Sequence, residues 1–208
     1  MAYLVLVRHG QSAWNELGQW TGLTDVELTE KGRQEARAAA KALEDITFHS
    51  AHTSRLKRAQ DTLSEILDEL GQTELEAKKA AAINERDYGK LTGKNKWQVK
   101  EELGEEEFTK IRRSWDHPVP GGETLKDVHD RAVPYYKEHI LADLRAGKNV
   151  IVSAHGNSLR ALVKHIENVA PEEIPGLEIG TGEVYLYEIE PENGRIVAKE
   201  IRTTGGKA

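Results

Sequence analysis

The chain has 208 residues, 38% of them hydrophobic and 31% charged, enough for a full hydrophobic core and too apolar for wholesale disorder. A net charge of −6 offers nucleic acid no broad basic surface, and the absence of cysteine removes disulfides, thiolate metal sites and thiol nucleophiles. No apolar run reaches bilayer length and the first residues enter a strand, not a basic-then-apolar leader, so a cytoplasmic protein with no membrane or nucleic-acid partner is expected.

Residues 4–7, Leu-Val-Leu-Val, suit a strand buried on both faces. The run ends in Arg8, His9 and Gly10, which sets a cation, an imidazole and a turn residue at a strand's carboxyl end, where open α/β sheets bind ligands. Ser12 and Asn15 add neutral donors. The stretch reads as a phosphate pocket with a reactive histidine at its floor. Arg-His-Gly alone is a weak signal, since most histidines are ordinary surface or hydrogen-bonded residues. His9 gains weight from its place after the strand and from what lies downstream.

Thr29 can cap a helix running to about residue 44, and a short strand is expected over 46–52. His49 and His52 would face opposite sides of that strand, which argues against a shared metal. Thr53 and Ser54 then cap a second helix with Leu56, Ala59, Leu63, Ile66, Leu67 and Leu70 on its buried stripe. Arg55, Lys57 and Arg58 in its first turn oppose the helix dipole, a conflict that a bound anion would remove. Solvated charge is the ordinary reading of such a cluster; here at least one functional arginine is expected. Residues 76–81 signal a weak strand, and 84–89 form an irregular polar segment carrying Glu85, Arg86 and Tyr88. Two short helices, around 94–103 and 105–114, end in Arg112-Arg113, and the proline- and glycine-rich 116–122 must be loop. The acidic cluster at 101–107 reads as a solvated face.

Thr124 with Asp127 makes a capping box for a long helix to about residue 146, which Pro134 should kink or divide and Gly147 terminates. Residues 149–154 are the second buried strand, ending in His155-Gly156-Asn157-Ser158, with Leu159, Leu162, Val163 and Ile166 facing inward from the helix that follows. The N-terminal pattern is thus repeated, and the two histidines converge if their strands are neighbours in a parallel sheet. A strand over 184–189 pairs with 196–201 as an edge hairpin across 191–194. The tail, 203–208, is expected to be mobile.

The candidate site is Arg8, His9, Arg58, Glu85 and His155, with Lys96, Arg112 and Arg113 as outer cations. Phosphoryl transfer to a nitrogen nucleophile needs these types: a neutral imidazole to attack phosphorus, and cations to disperse charge on the equatorial oxygens. A carboxyl group passes the proton to and from the alcohol oxygen. Walker A and the aspartate-rich loops of metal-dependent phosphotransferases are absent, so a metal-free route is the simpler expectation.

On Leu6-Val7-Arg8-His9-Gly10-Gln11-Ser12, Ser54-Arg55-Leu56-Lys57-Arg58-Ala59, Asn84-Glu85-Arg86-Asp87-Tyr88-Gly89, Arg112-Arg113-Ser114 and His155-Gly156-Asn157-Ser158-Leu159-Arg160, the sequence resembles the histidine phosphatase superfamily and, within it, the cofactor-dependent phosphoglycerate mutase branch. The resemblance covers nearly the whole chain. It implies one α/β domain over 1–208, built in three layers with a mostly parallel central sheet and helices on both faces. It makes His9 the phosphoryl acceptor and Glu85 the general acid/base, with Arg8, Arg58 and His155 holding the transferring group. Ser12, Asn15, Thr21, Gly22, Tyr88, Lys96, Arg112, Arg113, Gly156 and Asn157 match substrate-binding positions. The implied reaction interconverts 3-phosphoglycerate and 2-phosphoglycerate through a phosphohistidine primed by 2,3-bisphosphoglycerate, without a metal. A small anionic phosphorylated substrate is the expected partner.

Three departures stand out: a short connection over 115–123 where longer members carry a loop, Gln11 where many have glutamate, and a short tail after Ile201. The missing loop and the lack of a large apolar patch point to a monomer or weak dimer. A phosphatase on the same fold would share the inner groups but not the Arg112, Arg113 and Lys96 grip. A non-catalytic phospho-ligand sensor would have no use for Glu85.

Overall fold

The computed structural model describes residues 1–202; the tail expectation for 203–208 lies outside the described residues. The elements run β1 (Ala2–Arg8), α1 (Ala13–Glu16), α2 (Glu30–Lys41), β2 (Ser50–Thr53), α3 (Lys57–Glu69) and β3 (Ala77–Lys79). Next come α4 (Lys96–Leu103), α5 (Glu105–Arg113), α6 (Leu125–Tyr135), α7 (Leu141–Arg145), β4 (Val150–Ala154), α8 (Gly156–Glu167), β5 (Val184–Glu190) and β6 (Arg195–Arg202). Short 3-10 turns at Ala81–Ile83 and Gly89–Leu91 bracket the 84–88 segment.

The six strands form one sheet in the order β3-β2-β4-β1-β5-β6. The first four are mutually parallel, and β5 and β6 add an antiparallel hairpin at one edge. Alternation along the strands feeds two cores. Leu4, Leu6, Val150 and Val152 face α6 and α8 through Ala132, Leu159, Leu162 and Val163. Val5, Val7 and Ile151 face α2 and α3 through Ala36, Ala39, Ala40, Leu63 and Ile66. The result is a three-layer α/β sandwich, as the sequence leads one to expect. A satellite cluster of Trp20, Leu91, Val99, Phe108, Ile111 and Val119 carries α4 and α5 as a separate cap.

β1 and β4 are neighbours, with Arg8 opposite Ala154, so both histidine motifs leave the sheet side by side. Behind His9 the chain passes very close to α2: a Cβ on Gly10 would lie 2.1 Å from the Gly32 carbonyl oxygen, and one on Gly32 would lie 2.1 Å from that of Gln11. Only two glycines permit this approach.

Several expectations shift. The second strand is Ser50–Thr53, not 46–52; Ile46 and Phe48 pack into the core ahead of it. Thr53 and Ser54 do not cap α3, whose N-cap is Leu56 with no side-chain bond. Thr53 stays in the sheet, its hydroxyl donating to the Ser153 carbonyl, and Ser54 is committed to the site. Pro134 does divide the long helix: a π-turn at Tyr136–Ile140 separates α6 from α7. The Thr124–Asp127 capping box forms as the spacing predicts. No helix among the described residues is long and apolar enough to cross a membrane.

Candidate active site

The His9 amide extends the ladder by donating to the Ala154 carbonyl at 3.0 Å, which holds the ring at the seam between β1 and β4. His9 Nδ1 lies 2.7 Å from its neighbour's carbonyl, Gly10 O. A carbonyl only accepts, so Nδ1 carries the proton and Nε2 keeps a free lone pair. Burial, then the nearby Arg58 and Arg8 guanidinium groups, push the His9 pKa well below its ordinary value. The imidazole is therefore neutral at physiological pH, the form that can act as a nucleophile.

His155 stands 4.9 Å from His9, ring centroid to centroid, at an interplanar angle of 62°. Burial, then Arg58, hold its pKa well down too. Ser54 Oγ sits 2.7 Å from its Nε2, and its Nδ1 is buried with no partner among the described residues. Arg58, 1% exposed on α3, spends its Nη atoms on the carbonyls of Thr24 and Gly22, each at 2.8 Å, and leaves Nε unpaired. Arg8 repeats the device: Nη1 donates to the Ile179 carbonyl at 2.7 Å and Nε is unpaired. Of the three cations at the start of α3 only Arg58 lines the cleft; Arg55 and Lys57 are exposed. A further orphan, Thr21 Oγ1, faces the same cleft. Each buried unpaired polar group costs about 1–3 kcal/mol, so four beside one cleft mark a place kept for a multivalent anion.

Glu85, 8% exposed, closes the opposite side. Its Oε1 accepts the Arg86 amide at 2.8 Å and both the amide and Nδ2 of Asn157 at 3.2 Å. Among the described residues no hydrogen bond reaches Oε2, which is thus the oxygen free to exchange a proton with a ligand. Asn157 Nδ2 also donates to Tyr88 Oη at 2.8 Å, and the Tyr88 ring leans on Trp20. Arg131, paired with Glu123, donates to the backbone carbonyls of Ala82, Asn84 and Glu85 and fixes the 84–88 segment from behind. Arg86, itself within that segment, ties it to α5 by donating to the Ile111 carbonyl.

The cleft is lined by Arg8, His9, Arg58 and Glu85 at its floor, and by Lys96, Arg112 and Arg113 from the cap. Crowding acts on Lys96, where burial, then Arg112 and Arg8, pull the pKa down to about 8. Asn15, Thr21, Gly22, Tyr88, Gly156 and Asn157 also line it. Ser12 does not. It is buried as the N-cap of α1, its hydroxyl 2.8 Å from Asn15 Oδ1, so it orients a lining residue from behind. Four lining residues were not singled out from sequence: Trp20, Arg160, Glu178 and Ile179. Arg160 had a signal, since it lies three residues after Asn157 on a helix and must share its face. Glu178, paired with Arg113 at 2.8 Å, had none. No group of three or more His, Cys, Asp or Glu side chains that could hold a metal occurs among the described residues.

Comparison with known proteins agrees with this geometry. The chain is 46% identical over 200 residues to a 2,3-bisphosphoglycerate-dependent phosphoglycerate mutase of Parvibaculum lavamentivorans, covering 95% of each chain. It is 50% identical over 188 residues to the enzyme of the same name from Rhodopseudomonas palustris, covering 89% of this chain and 91% of that one. Among solved structures, a mycobacterial glucosyl-3-phosphoglycerate phosphatase complexed with VO3 superposes with a TM-score of 0.84 at 24% identity, over 99% of this chain and 100% of that one, a likeness of fold. The model of the histidine phosphatase superfamily (branch 1) matches residues 4–202, which span both histidine motifs, the Glu85 segment and the cap. On that match and these relatives, the chain belongs to the histidine phosphatase superfamily as one of its phosphoryl-transfer enzymes.

Proposed function

We propose that the enzyme interconverts 3-phosphoglycerate and 2-phosphoglycerate through a phosphohistidine on His9. The observation that carries this reading is the second set of cations. Hydrolysis of a phosphomonoester needs only the floor of the cleft, whereas Lys96, Arg112 and Arg113 make an outer anion site opposite the first. Two such sites suit a three-carbon acid with anionic groups at both ends. The mutase relatives, at 45–50% identity, support the same substrate class.

In this mechanism His9 Nε2 attacks the phosphorus in line; the N–P bond forms as the bond to the substrate oxygen breaks. Glu85 Oε2 gives its proton to the departing alkoxide. Arg8 Nε, Arg58 Nε and His155 Nδ1 meet the charge on the equatorial oxygens, together with the amides opening α8. The outer cations hold the carboxylate and the remaining phosphoryl group of a monophosphoglycerate, and Glu85 takes the proton of its free hydroxyl as that oxygen accepts the phosphoryl group from His9 and the N–P bond breaks. The bisphosphate so formed reorients and presents its other phosphoryl group to His9. When bound, 2,3-bisphosphoglycerate supplies the first phosphoryl group, and the two anion sites fit its two phosphates.

A phosphatase is the second reading, favoured by one observation: Glu178 already spends part of the outer grip on Arg113. The two separate in Arg112→Ala/Arg113→Ala. Mutase turnover should fall by about 2–4 kcal/mol of transition-state binding, well beyond any loss of bisphosphatase activity. An unchanged ratio of the two activities would favour the phosphatase. Labelled 2,3-bisphosphoglycerate should leave an acid-labile label on His9; label on serine or aspartate would overturn both readings.

A further inference from the structure

Arg160 belongs to the His-Gly-Asn-Ser-Leu-Arg motif, yet the mechanism above gives it nothing to do. It is 4% exposed on α8. Its Nε donates to the Leu177 carbonyl at 2.9 Å, and Nη2 to the carbonyls of Arg113 and Ile174, both at 2.8 Å. Nη1 donates to Asn157 Oδ1 at 3.1 Å and to the Arg112 carbonyl at 3.4 Å. A guanidinium has five N–H groups in a fixed planar fork, and all five are used. None is left for a ligand, although the side chain borders the cleft.

We propose that Arg160 is a positioning residue that locks the proton-handling carboxyl Glu85 and the outer cations Arg112 and Arg113 into one arrangement, an inference resting on the reading of the site given above. Two consequences of its contacts carry this. First, by claiming Asn157 Oδ1 as an acceptor, Arg160 decides which way the amide faces. The Nδ2 group must then point at Glu85 Oε1 and Tyr88 Oη. The flipped amide would set N–H groups against the guanidinium and an oxygen against the carboxylate, two repulsions in a buried site. Glu85 Oε1 thereby stays saturated with donors, and the proton is directed to Oε2. Second, Arg112 and Arg113 end α5, where backbone carbonyls lack helical partners. Arg160 accepts that role for both, so the direction in which the two side chains leave the helix is set from α8. Burial brings the Arg160 pKa down to about 10, and the group stays charged at neutral pH.

The test uses Arg160→Lys, which keeps charge and much of the volume, and Arg160→Gln as a second variant, each checked for folding by thermal melt. Calorimetry then gives the affinity for inorganic phosphate, which needs only the floor of the cleft, and for 3-phosphoglycerate, which needs floor and outer cations. In the folded variants 3-phosphoglycerate should bind about ten- to thirty-fold more weakly, with phosphate within about twofold of wild type. Turnover should fall as well, because kcat depends on Oε2. A purely structural role would weaken both ligands in step; an unchanged affinity ratio in a folded variant overturns the proposal. A wild-type enzyme that holds 3-phosphoglycerate no better than phosphate would instead overturn the substrate reading, and this inference with it.

Discussion

Ser54 offers a sharp test of how the anion hole is set. Its Oγ accepts the Leu56 amide at 3.1 Å and lies 2.7 Å from His155 Nε2. The hydroxyl has one hydrogen, and among the described residues its only acceptor is that ring nitrogen. Nε2 is therefore the acceptor and the proton of the neutral imidazole sits on Nδ1, the buried atom without a partner. So the serine makes His155 Nδ1 a donor without making the ring a cation, and in the mechanism proposed above that donor serves the phosphoryl oxygens. In Ser54→Ala the tether is lost and the tautomer is no longer fixed. A buried hydrogen bond contributes about 0.5–1.5 kcal/mol, and leaving Nε2 unpaired costs about 1–3 kcal/mol more, so stability should drop by about 2 kcal/mol. Removing a whole preorganised donor costs about a hundred- to a thousandfold in rate, the effect expected of His155→Ala. Ser54→Ala keeps the ring and should lose about tenfold in kcat/KM, or 1.4 kcal/mol. Steady-state rates give that number, and nitrogen-detected NMR of the imidazole gives the tautomer. A wild-type ring protonated on Nε2, or a Ser54→Ala enzyme at full rate, refutes the reasoning.

Three further outcomes follow from burial and close packing. His52 is fully buried on β2 beside Tyr135 and Asp143, and burial, then Lys78, bring its pKa down to about 4. Because the unfolded chain binds that proton near pH 6.5 and the folded one does not, stability must fall as pH drops below that value. The His52 share is about 2 kcal/mol at pH 5. Urea titrations at pH 7 and 5 should show this slope, and His52→Gln should reduce it by about one proton. Since His9 and His155 are held neutral in the same way, the acid limb of kcat/KM should lie below pH 6.5 rather than at it. Gly32→Ala should gain about 1 kcal/mol from helix propensity at an ordinary site. Here the added Cβ meets the Gln11 carbonyl oxygen at 2.1 Å, and the overpacking should reverse the sign, with a net loss of about 1–3 kcal/mol in a thermal melt.

The sequence made the catalytic floor legible because each histidine ends an apolar run and is followed by glycine, a pattern in which strand, turn and functional group are contiguous. Adjacency of the two runs was the one tertiary fact needed, and the β1–β4 register supplies it. What stayed hidden depends on contacts with no local signature. A serine just before a helix reads as a cap, and nothing near it says that its hydroxyl serves a ring 101 residues away. Nothing local marks Arg131 or shows what Arg86 holds, yet Arg131 clamps backbone carbonyls around Glu85 and Arg86 ties the same segment to the Ile111 carbonyl of α5. Ser12 shows the opposite error: its motif suggests a ligand contact, whereas its hydroxyl is taken up by Asn15 and the start of α1. Glu178 sits in a connection without periodicity, where neither spacing nor composition marks it.

A chain of net charge −6 holds several cations together in one cleft, and the floor of that cleft shows how. Among the described residues no carboxylate hydrogen-bonds either floor arginine, and Glu85 and Asp25 act on Arg58 only through space. Arg58 is held by two carbonyl oxygens and Arg8 by one, so the partial charges of the backbone stabilise each guanidinium from its outer end. Carbonyls cannot leave with the ligand, nor can they be protonated away. A carboxylate in their place would compete with the substrate for the same nitrogen atoms and would have to be displaced at each turnover. The arrangement therefore leaves Nε of both arginines unpaired, and in the mechanism proposed above they meet the phosphoryl oxygens with no reorganisation as charge develops. It also adds to what burial itself does in keeping His9 neutral. Two fixed cations beside a buried ring oppose its protonation, and the same field that will receive the phosphoryl oxygens keeps the nucleophile's lone pair available.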